Sequence, residues 1–332
     1  MQVAIQDLRA LCLKALKHQG YTNQESATIL DILLYAQLRG NNQGVVKLIG
    51  KGIPKRPDAG TITVIKETAV SALLDGGKNF GMIVSKKATD IAITKAKNQG
   101  LSIVGTRNAY LSTGAIGYYA REIAQAGYIG FVFAGSQPTV APHGSSQALF
   151  GTNPLAIGLP TRPEPVVLDM ATAAMAYYGL IEAKTAGKPI PGDIAYDAAG
   201  APTRDPAKAM EGAIKGFGGH KGSGLGFMVT ALTGPLVGAM FGDRTAQGNG
   251  GSLLLAIDPN LLADPRTFQK DMVTLVAKMK EAKKLPGVSE VYIPGERGNQ
   301  LTNKHLAAGK IEIEDRLYQE LAQAAKGPGP RK

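Results

Sequence analysis

The 332-residue sequence has no tryptophan, one cysteine and four histidines, and aromatic residues make up only 6% of it. The lone Cys12 excludes an intrachain disulfide and any metal centre built from several thiolates. His18, His143, His220 and His305 are scattered and no H-E-x-x-H occurs, so a histidine metal site is not expected. A P-loop and a G-x-S-x-G elbow are also missing. Gly216 and Gly218 begin a G-x-G-x-x-G pattern, but Lys221 takes the third place, so a Rossmann dinucleotide fingerprint is not supported. The N-terminus "MQVAIQDLRALCLKALKHQG" carries charges throughout and lacks an apolar signal core. With one cysteine, this makes a cytoplasmic setting the expectation. The uncharged run Gly222–Gly242 is long enough to cross a bilayer, but it holds six glycines and Pro235. A buried helix is expected there, and no membrane partner.

Glycine, at 42 residues, and positive charge, at net +11, are plentiful. The basic residues are spread along the chain. Their densest cluster, Lys278–Lys284, is broken by Glu281 and reads as a solvated helix face. The interleaving of aromatic and basic residues that suits a single-strand binder is missing, so nucleic acid is not an expected partner. Dispersed positive charge suits a small anionic ligand. A hydrophobic content of 44% supports a sizeable core.

Leu8, Leu11, Ala15 and Leu16 fall at helical spacing. "TNQE" offers a capping box, Thr22 with Glu25, ahead of the apolar run Ala27–Leu38. Short strands are expected at Thr61–Val64, Ser102–Val104, Ile129–Phe133 and Val166–Leu168, with helices at Gly81–Lys97 and Ala115–Ala126 between them. This alternation predicts an α/β fold. Further on come a long apolar helix near Gly222–Gly242, a strand "SLLLAID", a helix Pro265–Lys284, a strand "SEVYIP" and a helix Ile313–Ala325. No repeat or linker divides the chain, and the tail 326–332 reads as loose.

Two stretches point to a ligand. From Ile123 to Thr161 the only ionisable acidic or basic group is His143, although Gly, Pro, Ser and Asn abound; burial is expected, with polar backbone left to satisfy. "GAIKGFGGHKGSGLGF", Gly212–Phe227, combines seven glycines with lysine and histidine ahead of the apolar run. Bare backbone and positive charge at a helix start suit an anion such as a cofactor phosphate, which places His220 and Lys221 beside it. The plainer alternative for His220 is a structural role at the helix N-terminus. Asp169 ends a strand candidate, and His143 reads most simply as a turn residue.

The ordered segments "FGTNPLAIGLP", "VVLDMATAAMA", "GKPIPGDIAYDAAGAPTRDP", "GFGGHKGSGLGFMV", "LLLAIDP" and "GVSEVYIPGERG" resemble the malate/L-lactate dehydrogenase family of the second type, over nearly the whole chain. The resemblance implies a non-Rossmann α/β fold with a helical N-terminal segment. Residues 1–325 would form one unit, with 1–60 on the substrate side and about 80–260 on the nucleotide side. It implies NAD or NADP, with the basic balance tilting towards NADP, and a homodimer acting on a small anionic 2-oxo or 2-imino acid. It sets Asp169, Met170, Ala171 and Thr172 of "DMAT" against the cofactor, Thr172 as a donor, and lets Ser145 and Ser146 bind ribose or its 2′-phosphate. "PGER" would close over the nucleotide with Gly295 and Glu296.

Family members typically carry "LRGxxSHGxxR", with the histidine as proton donor and the arginine on the substrate carboxylate. This chain reads "LRGNNQGVVK", which sets Gln43 and Lys47 at those places, four apart and able to share a helix face. Glutamine can donate a hydrogen bond but is no acid, and lysine pairs with a carboxylate as a point charge. A second family histidine is also gone from "RNAYLSTGAIGYYA", where Tyr110, Ser112 and Thr113 remain. Ketone reduction needs a proton for the nascent alkoxide; a protonated cyclic imine does not. His220 in "FGGHKGS" also resembles the imine-reducing branch. The first expectation is therefore a cyclic 2-imino acid reductase using Lys47, Gln43, Tyr110 and His220. The second is a 2-oxo acid reductase with Tyr110, His220 or Lys47 as donor, and the third an altered member that keeps nucleotide binding.

Overall fold

A computed structural model describes residues 1–41, 43–110, 112–242 and 248–327. The chain opens with β1 (Gln2–Ala4), α1 (Ile5–His18), α2 (Asn23–Leu38) and a 3₁₀ turn at Val45–Leu48. α1 buries Leu8, Cys12, Ala15 and Leu16, the spacing expected of one apolar stripe. Burial pushes the Cys12 thiol up to about 12, which leaves it inert. The expected capping box starts α2: Thr22 Oγ1 accepts from the Glu25 N–H at 3.2 Å, and the Glu25 carboxylate accepts from the Thr22 N–H at 2.8 Å. α2 is apolar over most of its surface, and Ile29, Leu30, Ile32, Leu33, Leu34, Ala36 and Leu38 are buried while Asp31 faces solvent.

Next come β2 (Thr63–Glu67), β3 (Ser71–Asp75), α3 (Gly81–Gln99), β4 (Leu101–Ala109), α4 (Gly117–Gln125), β5 (Ile129–Ala134), β6 (Val140–Ala141), β7 (Leu155–Leu159) and β8 (Val166–Met170). They are followed by α5 (Tyr177–Thr185), β9 (Ala195–Tyr196), α6 (Pro206–Glu211), β10 (Ala213–Lys215), α7 (His220–Thr233) and β11 (Gly250–Ile257). The chain closes with α8 (Pro265–Lys280), α9 (Glu296–Ala308), β12 (Lys310–Glu312) and α10 (Asp315–Ala324).

The main sheet has seven strands in the order β2-β3-β4-β11-β5-β7-β8. Only β3 and β4, linked by the crossover helix α3, run parallel; the other neighbours are antiparallel. Side chains of β11 alternate between the two faces. Leu254 and Ala256 join the large core beneath α2, α3 and α4, while Leu253 and Leu255 pack with Val237 and Leu232 on the other side. A three-stranded sheet, β6-β10-β9, forms a smaller lobe whose core includes Leu180, Ile190 and Ile214. β1 pairs with β12, tying the two ends of the described chain together.

Three expectations are corrected. α7 stops at Thr233, not Gly242, because Gly234 leaves the helical region ahead of Pro235. "SEVYIP" is no strand: Glu290 and Tyr292 are held by Lys280 of α8, whose Nζ lies 2.5 Å from the Glu290 carboxylate and 5.4 Å from the Tyr292 ring centre. The run Ile123–Thr161 is not uniformly buried: Ser136, Gln137, His143, Gly144, Ser146 and Gln147 are exposed. The remaining elements match within a few residues, although α8 ends at Lys280. Of the expected loose tail, Pro328–Lys332 lie outside the described residues.

Candidate active site

A cavity of about 390 Å³ opens at one end of the main sheet, where β4, β5 and β8 finish and β11 begins. Ala109, Ala134, Pro154, Met170 and Gly250 supply its strand-end lining. The polar lining comes from Asn41, Gln43, Ser112, Thr113, Ser136, Gln137, Thr139, Thr152, Asp169, Tyr177 and Tyr178. Among the described residues, no Lys, Arg or His lines it directly.

Lys47 is the cation nearest in role. It lies in the 3₁₀ turn, is 3% exposed, and its Nζ donates to Ser112 Oγ at 3.2 Å. The same Nζ stands 3.5 Å from the centre of the Tyr178 ring. Both contacts are cavity-lining residues, so the ammonium sits at the cavity wall. Burial, with no carboxylate contact among the described residues, brings its pKa down to about 7. Gln43 lines the cavity, its backbone N–H donating to Asn41 Oδ1 at 2.9 Å. It precedes the 3₁₀ turn, so it shares no helix face with Lys47; the two meet at the cavity by way of the loop.

Asp169 stands opposite in charge. Its exposure is to the cavity, whose walls displace bulk water and raise its carboxyl to about 6. The Gly117 N–H at the start of α4 donates to its Oδ2 at 2.8 Å and, with the charge of Arg39, limits that rise. Met170 and Ala171 line the cavity with it. Thr172 is buried, and its hydroxyl donates to the Thr152 carbonyl at 3.1 Å, so in this arrangement it is a structural tie rather than a donor aimed at a ligand.

The glycine-rich stretch is joined to this wall. The Thr172 carbonyl accepts from the Phe217 N–H at 3.1 Å, and a Cβ at Gly222 would meet that carbonyl at 2.6 Å, which only glycine permits. Gly219 holds the cap position of α7, and no side chain caps the helix, so His220 is not its cap. The first-turn N–H groups of Gly222 and Ser223 are already satisfied by the carbonyls of Phe217 and Gly219. What α7 offers an anion is therefore its positive dipole end and the exposed Lys221 and His220. The His143 ring faces His220 at 6.2 Å between centroids, and the His143 N–H donates to Ser223 Oγ at 2.9 Å. The loop carrying Ser145 and Ser146 thus borders the start of α7, outside the cavity lining. A dinucleotide phosphate fits this rim by charge.

Tyr110 turns elsewhere: Arg56 covers its ring at 4.9 Å, and it does not line the cavity. Gly295 lies against β8, where a Cβ would meet the Val167 carbonyl at 2.7 Å. The Glu296 carboxylate accepts from Lys280 Nζ at 2.8 and 2.9 Å, pinning α9 to α8. Sequence reasoning missed Tyr177 and Tyr178; an adjacent pair of tyrosines just after "DMATAAMA", in a chain poor in aromatics, is the signal that was there.

No helix among the described residues is long and apolar enough to cross a membrane, and no group of three or more His, Cys, Asp or Glu gathers among them to hold a metal. Comparison with known proteins gives a consistent outcome. Residues 3–322 match the malate/L-lactate dehydrogenase family model. The chain is 34% identical to L-sulfolactate dehydrogenase of Methanothermobacter thermautotrophicus, over 98% of this chain and 97% of that one. It is 30% identical to Delta(1)-pyrroline-2-carboxylate reductase 1 of Burkholderia ambifaria, over 78% and 80%. The solved sulfolactate dehydrogenase of Methanocaldococcus jannaschii superposes with a TM-score of 0.82 at 32% identity, covering 98% of this chain and 97% of that one.

Proposed function

The chain belongs to the malate/L-lactate dehydrogenase family of NAD(P)-dependent oxidoreductases, and we propose that it reduces cyclic 2-imino acids of the Δ1-pyrroline- or Δ1-piperideine-2-carboxylate type. The observation that carries this reading is the pair of opposite charges on one cavity, the Lys47 ammonium at its wall and the Asp169 carboxylate in its lining. A protonated cyclic imino acid is a zwitterion. Lys47 pairs with its carboxylate, which supplies the buried ammonium with a counterion not found among the described residues. Asp169, ionised, faces the positive iminium nitrogen.

The nicotinamide supplies the hydride. Attack on the iminium carbon leaves a neutral amine, so no side chain has to deliver a proton in that step. Ser112 and Gln43 orient the carboxylate end by hydrogen bonds. Helices of residues 1–60 furnish the substrate side, and residues about 80–260 the nucleotide side, with His220, Lys221, Ser145 and Ser146 at the phosphate rim. The net charge of +11 and Lys221 favour NADPH over NADH. The exposed apolar face of α7, with Phe227 60%, Met228 55% and, just beyond, Leu236 61% exposed, supports a homodimer.

A second reading has its own support. A lysine with a pKa near 7 is also able to give up a proton, which would serve reduction of a 2-oxo acid. The two readings are separated by assaying NADPH and NADH oxidation with Δ1-pyrroline-2-carboxylate, Δ1-piperideine-2-carboxylate, pyruvate and oxaloacetate. Turnover of the imines alone is the expected result. Turnover of the oxo acids alone refutes the imine reading.

A further inference from the structure

We propose that Tyr178 is a positioning residue that sets the direction and charge state of the Lys47 ammonium; this rests on Lys47 being the carboxylate anchor. Among the described residues, the Lys47 ammonium meets the Ser112 hydroxyl at 3.2 Å and the Tyr178 ring face at 3.5 Å. The Ser112 hydroxyl also accepts from the Gly114 N–H at 3.0 Å, which leaves one lone-pair direction for the ammonium. The ring offers a broad negative face, and a desolvated cation gains from it more than an exposed one does. The ring is thus the group that keeps the ammonium charged in a site whose burial favours the neutral amine.

The ring is also held firmly enough for this task. Tyr178 lies in the first turn of α5, and two residues later Leu180 is fully buried in the core of the smaller lobe. Lys47 belongs to the 3₁₀ turn, whose neighbours Val45 and Leu48 are buried in the large core. The cation–ring contact therefore joins two separately anchored pieces of the protein across the cavity wall. Tyr178 lines that cavity, so a carboxylate arriving there meets an ammonium already backed by the ring. With the ring gone, the long lysine side chain gains other rotamers and the amine loses its proton more readily.

The test uses the full-length protein with NADP and pyrrole-2-carboxylate, a planar carboxylate of substrate size that accepts no hydride. Its dissociation constant is measured by calorimetry from pH 5.5 to 9. Binding needs the ammonium, so affinity falls as pH rises through the Lys47 pKa. Tyr178→Leu, which keeps bulk but removes the ring face, is expected to weaken binding about tenfold at pH 6.5 and to move the alkaline limb down by about one unit. Tyr178→Phe, which keeps a ring face, is expected to restore most of the affinity and the limb. A Tyr178→Leu limb identical to that of the wild type overturns the proposal, since a merely structural loss would weaken binding without moving the titration. Lys47→Met is the control for the underlying reading. Wild-type affinity in that variant, or no binding by the wild type at any pH, refutes the anchor itself; a weakened Lys47→Met beside an unshifted Tyr178→Leu refutes only the role of the ring.

Discussion

Two lysines mark the two ends of the proposed site, and their surroundings make them different reagents. Lys47 is buried beneath a tyrosine ring in a tight turn packed on the large core, and its charge has lost most of its water. Lys221 stands exposed at the start of α7, with bulk solvent around it and the helix dipole behind it. The first can discriminate, because a buried cation gains greatly from one well-placed anion and little from a misplaced one. The second can attract, but salt screens it and many anions satisfy it. The comparison suits an enzyme that grips its substrate at one end and draws in a phosphate at the other.

The largest effect is expected at the buried end. Lys47→Met should raise the KM for the anionic substrate by about 100-fold, in keeping with the loss of one partner of a desolvated charge pair. An unchanged KM would remove Lys47 from the anchoring role. Next comes the backbone that joins the ends. Gly222→Ala forces a Cβ against the Phe217 and Thr172 carbonyls, at 2.4 and 2.6 Å, and should cost about 2 kcal/mol of stability in denaturant unfolding. An unshifted midpoint would mean that the segment yields freely.

A third test concerns pH. On the proposed reading the site needs Asp169 ionised, which holds above about 6, and Lys47 protonated, which holds below about 7 in the free enzyme. kcat/KM for the imine should therefore be bell-shaped with its summit between those values, and Asp169→Asn should abolish the acid limb. Lys47 also leaves a mark on stability. Its folded-state pKa lies below the ordinary lysine value of 10.5, so the unfolded chain binds the extra proton between about pH 7 and 10. Its contribution destabilises the ligand-free protein most at low pH and is relieved as pH rises through that window. Lys47→Met should flatten this slope in melting experiments. The smallest effect is expected at the exposed end. Lys221→Ala should raise the NADPH dissociation constant about threefold at low salt and hardly at all in 0.5 M salt, roughly the worth of one surface charge at a helix start. A salt-independent loss would point to a buried role instead.

How much of this was legible in the sequence follows the range of each interaction. The capping box at Thr22 and Glu25 and the apolar stripe of α1 depend on residues a few places apart, and both are where the pattern puts them. The strands β4, β5 and β8 rest on local β-propensity and lie where the sequence pattern puts them for the same reason. "SEVYIP" shows the limit: its strand-like composition forms no strand, and Lys280 claims the Glu290 and Tyr292 side chains instead. At the site, Gln43 and Asp169 prove to line one cavity, with Lys47 behind its wall. Tyr110 was plausible by type and motif, yet its ring goes to Arg56. Tyr178 left only a faint trace, as one of two adjacent tyrosines in a chain poor in aromatics, because its partner Lys47 lies in another lobe and no short-range pattern links them.

The hydrogen bond from Gly117 to Asp169 has a practical consequence. It makes one backbone amide a gauge of the proton inventory of the pocket. When Asp169 takes up a proton below about pH 6, its oxygen becomes a poorer acceptor, and the first turn of α4 should feel it at once. The nitrogen-15 resonance of Gly117, followed through a titration, would then read the carboxyl from outside the reaction, with no substrate, no cofactor and no turnover.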